Sequence, residues 1–141
     1  MGVMVANQIE SLAQDRPRLV LVEDDDGVRR SLQLLFRARG FDVRAYATGT
    51  ALLADPLSRD ASCFVADYRL EAIDGIEVLS RLRESGWSGP AVLITAFPSA
   101  DLSDRALSRG FSQVLEKPFR EQALGDAVAR LTQAGDAIRS S

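Results

Sequence analysis

Apolar positions along this chain follow two alternating patterns: short runs of four or five, and longer stretches where they recur every third or fourth residue. Leu19–Val22 is continuous and reads as a strand buried on both faces. Asp42–Tyr46, Cys63–Ala66 (ending at Asp67), Ala91–Ile94 and Gln113–Glu116 predict four more strands. Between them lie helical patterns. The first carries Val28, Leu32, Leu35 and Phe36 on one face, with Asp25 and Asp26 capping its start and Gly40 stopping it. Thr48 is placed to cap a short helix with Leu52 and Leu53, which Pro56 ends. A loop from Tyr68 to Asp74 turns at Gly75 into a third helix, with Ile76, Leu79 and Leu82 inward and Gly86, Gly89 and Pro90 closing it. Ser99–Arg109 is poorly amphipathic, only Leu102 and Ala106 sharing a face, which predicts weak, adjustable docking. The last helix places Leu124, Ala127, Val128 and Leu131 at i, i+3, i+4 and i+7. Five strand-then-helix repeats predict an α/β fold with a parallel sheet.

Domain limits follow from the same pattern. Residues 1–17 are weakly periodic, with Ile9 and Leu12 as their larger anchors, and read as a mobile extension or short helix; 18–134 form one domain and 135–141 a C-terminal tail. At 141 residues the chain has the size of a single domain.

Composition narrows the chemistry. With 17 basic and 20 acidic residues, the chain has no basic footprint for nucleic acid or an anionic membrane, so a DNA-binding output would lie outside it. No run approaches a membrane span and no secretory signal is legible, so a cytoplasmic location is expected. The single cysteine, Cys63, falls inside a strand and reads as core. The chain has no histidine, which removes imidazole-based triads, His-based zinc sites and any phosphohistidine of its own.

The polar residues at the strand ends carry the candidate chemistry. Glu23-Asp24-Asp25-Asp26 follows the first strand, Asp67 the third, Thr95 the fourth and Lys117-Pro118 the fifth. In a parallel sheet all four groups meet beyond its carboxyl edge. The intervals from Asp67 to Thr95 and on to Lys117 are each close to the roughly 30 residues of one βαβ unit. Carboxylates, a hydroxyl and an amine together suit Mg²⁺ and phosphoryl chemistry. Taken singly, Asp67 reads as a cap or loop residue, Lys117 as a solvated lysine and Thr95 as a strand end; only their joint order points to a site.

From about Arg18 to Leu131 the chain resembles the receiver domain of bacterial two-component response regulators. The resemblance rests on the acidic cluster followed by Val28-Arg29-Arg30-Ser31-Leu32, on Asp67-Tyr68-Arg69-Leu70 with Asp74-Gly75, on Thr95-Ala96, and on Lys117-Pro118-Phe119. It implies a flavodoxin-like doubly wound five-stranded parallel sheet, order 2-1-3-4-5, with helices on both faces. It implies Asp67 as phosphoacceptor; Asp24, Asp67 and the Arg69 backbone carbonyl as Mg²⁺ ligands, with Glu23 acting through a water; and Thr95 and Lys117 as phosphoryl contacts, Lys117-Pro118 being cis. The phosphoryl donor would be a histidine kinase or histidine phosphotransfer protein. Self-association is offered through the fourth helix, fifth strand and fifth helix, or through the first and fifth helices. The chain would not turn over an external substrate, beyond slow hydrolysis of its own aspartyl phosphate.

Three positions depart from the family pattern: Glu23 where Asp is usual, Glu71 where proline is common, and Val114 where an aromatic residue is common. In the switch region, formed by Thr95 and Val114, ring rotation at 114 therefore cannot carry the signal; Phe97, Phe111 and Phe119 are the available rings. Crowding of Glu23, Asp24 and Asp67 is expected to raise at least one carboxyl, first through like charge and then through burial. Two other readings remain open here. One is a receiver-like interaction module without phosphorylation. The other is a haloacid-dehalogenase-type phosphohydrolase with Asp24 as nucleophile, which needs a later acidic pair at a strand end, whereas Gly125-Asp126 and Gly135-Asp136 fall in or beyond the last helix and Asp67 is left without a role.

Overall fold

The computed structural model describes residues 16–118 and 120–140, with side chains as far as residue 133. Five strands, β1 (Arg18–Val22), β2 (Asp42–Tyr46), β3 (Cys63–Asp67), β4 (Ala91–Thr95) and β5 (Gln113–Glu116), form one parallel sheet in the order β2-β1-β3-β4-β5. The expected sheet is thus the one found. Helices α1 (Asp26–Ala38), α2 (Gly49–Ala54), α3 (Gly75–Glu84) and α4 (Ala100–Ser108) fill the crossovers, and α5 (Glu121–Ser140) follows β5.

Strand alternation sorts the core into two layers. Val20, Val22, Phe64, Ala66, Ala91 and Leu93 face Leu52 of α2, Ile76, Leu79 and Leu82 of α3, and Leu102 and Ala106 of α4. The intervening Leu19, Leu21, Cys63, Val65, Val92 and Ile94 face Leu32 and Phe36 of α1 and Leu124 and Val128 of α5. Each of these larger side chains contributes about 1.5–3 kcal/mol by leaving water, so a strand slipped by one residue would forfeit both layers.

Side-chain caps set where the helices begin. Asp25 accepts from Val28 N at 2.9 Å, Thr48 from Ala51 N at 3.1 Å, Asp74 from Glu77 N at 2.8 Å and Ser99 from Leu102 N at 3.0 Å. Gly40, at φ 93°, takes the left-handed turn that ends α1.

Some features depart from the sequence reading. Pro56–Asp60 is a 3-10 helix, started by Asp55 accepting from Leu57 N at 2.9 Å, whereas the sequence pattern gives Pro56 only as a helix stop. Trp87, which the periodicity left unplaced, is core: its Nε1 donates to Ala61 O at 2.8 Å and its ring meets Phe64 edge-on. The α5 backbone remains helical through 135–140, across the stretch set apart as a tail. Phe111 is buried packing, while Phe119 and residues 1–15 lie outside the described residues.

Candidate functional site

The carboxyl ends of β1, β3, β4 and β5 converge where the strand order reverses between β1 and β3, the switch point at which such sheets open a crevice. Backbone hydrogen bonds carry the ladder past the strand ends into this crevice. Glu23 N donates to Tyr46 O at 3.0 Å, Tyr68 N to Ile94 O at 2.9 Å and Lys117 N to Thr95 O at 2.7 Å. The reactive side chains are therefore held by the sheet and not by free loops.

Lys117 is the centre of the arrangement. Its Nζ donates to Asp67 Oδ2 at 2.8 Å and to Glu23 Oε1 at 2.9 Å, joining β5, β3 and the end of β1. Glu23 is 1% exposed and Asp24, its neighbour, is exposed. One oxygen from each of Glu23, Asp24 and Asp67 can lie within 4.8 Å of the others. Among the described residues, buried Glu23 Oε2 has no hydrogen-bond partner. A set of converging carboxylate oxygens with one orphaned and buried fits a hard divalent cation, which takes oxygen ligands and retains waters.

The electrostatics follow from this packing. Burial raises the Glu23 carboxyl from 4.5 to about 7, Asp67 adds to the rise through its hydrogen bond and charge, and Lys117 opposes it. The expected upward shift is present, but with burial ahead of like charge, because Glu23 is covered more completely than its position in an acidic run suggests. Burial lowers the Lys117 ammonium, but hydrogen bonds and charges of Asp67 and Glu23 outweigh it and the net shift is upward.

Thr95 and Arg69 sit around Asp67. Thr95 is 1% exposed and its Oγ1 accepts from Phe97 N at 3.1 Å. Arg69 N donates to Asp67 Oδ1 at 3.3 Å, and its guanidinium carbon lies 4.2 Å from the centre of the Phe97 ring. Val114 is half-buried and packs against the α2–α3–α4 layer. Lys117-Pro118 is cis. An open groove of about 710 Å³ runs from Lys117 and Pro118 along Val28, Ser31 and Leu32 of α1.

Three residues that the sequence marks for other reasons also support the site. Arg29 Nη1 donates to Glu23 O at 2.9 Å and fixes the end of β1 from the first turn of α1. A Cβ on Gly75 would come within 2.5 Å of Asp67 O, so only glycine lets α3 start this close beneath Asp67. Phe97, a candidate for its ring, acts through its backbone on Thr95. Gly75 alone had a legible signal, the Asp-Gly step at a helix start.

The phosphohydrolase reading finds no support in the placement of its remaining acid. Asp126 on α5 is bound by Arg39 at 2.8 Å, at the far end of α1 from Asp24 and roughly 20 Å along that helix. Asp136 lies outside the described side chains.

Comparison with known proteins agrees with this geometry. Residues 19–129 match the response regulator receiver domain. Nodulation protein W of Bradyrhizobium diazoefficiens is 34% identical over 121 residues, covering 86% of this chain and 53% of that protein. Transcriptional regulatory protein FixJ of Azorhizobium caulinodans is 32% identical over 108 residues, covering 77% of this chain and 51% of that protein. The chain thus spans about half the length of the curated relatives it matches. The crystal structure of a signal receiver domain from Vibrio parahaemolyticus superposes with a TM-score of 0.82 at 22% identity, over 88% of this chain and 95% of that one, which attests the fold. Match, sheet order and the convergence on Lys117 agree, and the chain belongs to the response regulator receiver domain family.

Proposed function

We propose that this receiver takes a phosphoryl group onto Asp67 from a phosphohistidine on a histidine kinase or phosphotransfer protein, and relays its presence to a partner. The observation that carries the reading is Lys117 Nζ bound to both Asp67 and Glu23, an ammonium already placed where phosphoryl oxygens would arrive. With no histidine in the chain, the donor imidazole comes from another protein. The groove beside Lys117 leaves room for it.

In the transfer, an Asp67 carboxylate oxygen attacks phosphorus. The P–N bond breaks, its electron pair stays on the donor imidazole, and that ring takes up a proton. Asp24, Asp67 and the Arg69 carbonyl would hold Mg²⁺, with Glu23 acting through a water; when bound, Mg²⁺ offsets the negative charge gathered on phosphoryl and carboxylate oxygens. Lys117 holds Asp67 in place before transfer and a phosphoryl oxygen after it. The Thr95 hydroxyl turns to a second phosphoryl oxygen. Residues 18–134 are the unit that performs this, in the cytoplasm, with α4, β5 and α5 or α1 and α5 as faces for self-association. In the relatives named as transcriptional regulators the matched stretch covers only about half of the protein, which supports an output domain outside this chain.

The test is a small phosphodonor with Mg²⁺ followed by intact mass. Wild type gains one phosphoryl group, Asp67→Asn gains none, and Asp24→Asn gains it poorly. Labelling that persists in Asp67→Asn would place the nucleophile elsewhere, and an unlabelled wild type would favour a binding module.

A further inference from the structure

We infer that the Arg69–Phe97 stack is a latch that holds the site in its unphosphorylated arrangement, and that its opening makes the Phe97 ring the aromatic signal of this receiver. The inference rests on Asp67 being the phosphoacceptor. A continuous circuit of contacts motivates it. Arg69 N donates to Asp67 Oδ1 at 3.3 Å, the Arg69 guanidinium lies 4.2 Å above the Phe97 ring, and Phe97 N donates to Thr95 Oγ1 at 3.1 Å. The two residues that answer to the phosphoryl group are thereby joined through one cation–π contact.

Phosphorylation pulls on both ends of that contact. Thr95 is 1% exposed, and to reach a phosphoryl oxygen its hydroxyl must turn, taking away the acceptor of Phe97 N. Phosphoryl oxygens also draw a guanidinium more strongly than the face of a phenyl ring does. Phe97 is 61% exposed, so its ring can turn without opening the core. By contrast Val114, half-buried on β5, has no ring to turn.

Beryllofluoride with Mg²⁺, a mimic of the aspartyl phosphate, tests the latch in the whole chain through its apparent affinity for wild type, Arg69→Ala, Phe97→Leu and the double variant. Phe97→Leu keeps apolar bulk and all charges, so losing an exposed cation–π contact should tighten binding roughly two- to fivefold. Arg69→Ala also removes a positive charge, but that loss is common to both backgrounds and cancels in the cycle. Its effect should therefore differ by the same roughly two- to fivefold between the wild-type and Phe97→Leu backgrounds. Equal effects in both would overturn the latch. A second measurement needs no variant: the Phe97 amide should be protected from solvent exchange in free protein and lose that protection with beryllofluoride. Protection that survives beryllofluoride also overturns the latch. If wild type binds no beryllofluoride at all, the phosphoacceptor reading itself fails, and the latch with it.

Discussion

Replacing Glu23 by glutamine should make the metal-free protein more stable, and by an amount that depends on pH. Glu23 is 1% exposed and one of its oxygens has no partner among the described residues, so its charged form is held at a cost that the folded chain bears and the unfolded chain does not. A carboxyl near 4.5 when unfolded and about 7 when folded corresponds to roughly 3 kcal/mol, fully incurred once both states are ionised. Between these values the folded state binds more protons than the unfolded one, so stability falls as pH rises from about 4.5 through about 7. Below the lower value the group costs nothing. Lys117, shifted upward, stays charged across this window.

Urea unfolding in EDTA at pH 5 and pH 8 reads the effect. Wild type should lose roughly 2–3 kcal/mol more than Glu23→Gln between the two, about 10 °C in Tm for a chain of this size. Taking the difference removes the titrating groups that do not touch Glu23. Mg²⁺ at a hundredfold excess over its Kd should add about 2.7 kcal/mol to wild type at pH 8 and less to Glu23→Gln. Parallel pH dependences for the two proteins would show that Glu23 is not held above its ordinary value, and would refute the account of a covered carboxylate awaiting a cation.

Gly75→Ala should cost about 1–3 kcal/mol in urea unfolding and slow phosphoryl uptake at Asp67, since the new Cβ meets Asp67 O at 2.5 Å; unchanged uptake would show that α3 can withdraw without moving Asp67. Ala72 has φ 70°, so Ala72→Gly should relieve about 1 kcal/mol of backbone strain, partly offset by greater freedom in the unfolded chain, leaving a thermal midpoint equal to or slightly above wild type. Val114→Ala should cost about 1 kcal/mol of packing without abolishing a partner's preference for the phosphorylated form. Loss of that preference at unchanged stability would return the switch to β5.

The sheet was legible because burial on both faces leaves continuous apolar runs, and strand ends in such a fold collect whatever polar residues follow them. Leu19–Val22, Cys63–Ala66 and Ala91–Ile94 are the three central strands, and each leads directly to a site residue. What could not be read is how neighbours divide exposure. Glu23 and Asp24 are adjacent carboxylates in a four-residue acidic run, yet one is buried and the other exposed. The division is set by contacts with distant parts of the chain: Glu23 N continues the ladder onto Tyr46 O, and Lys117 reaches back to its side chain.

The same reasoning explains why the ring at 97 was visible as a candidate and its connection to Thr95 was not. A pattern of residues states which side chains a loop carries, whereas the bond from Phe97 N to Thr95 Oγ1 depends on how the loop leaves β4. That bond is local, spanning two residues, and the stack on Arg69 joins it to a second strand end. A receiver that lacks an aromatic residue on β5 therefore retains an exposed ring coupled to its threonine, and coupled from the side of Asp67. If the Phe97 amide gives up its acceptor when Thr95 turns, the information that Asp67 is occupied leaves the site through the β4–α4 loop and reaches α4, the helix that buries Leu102 and Ala106.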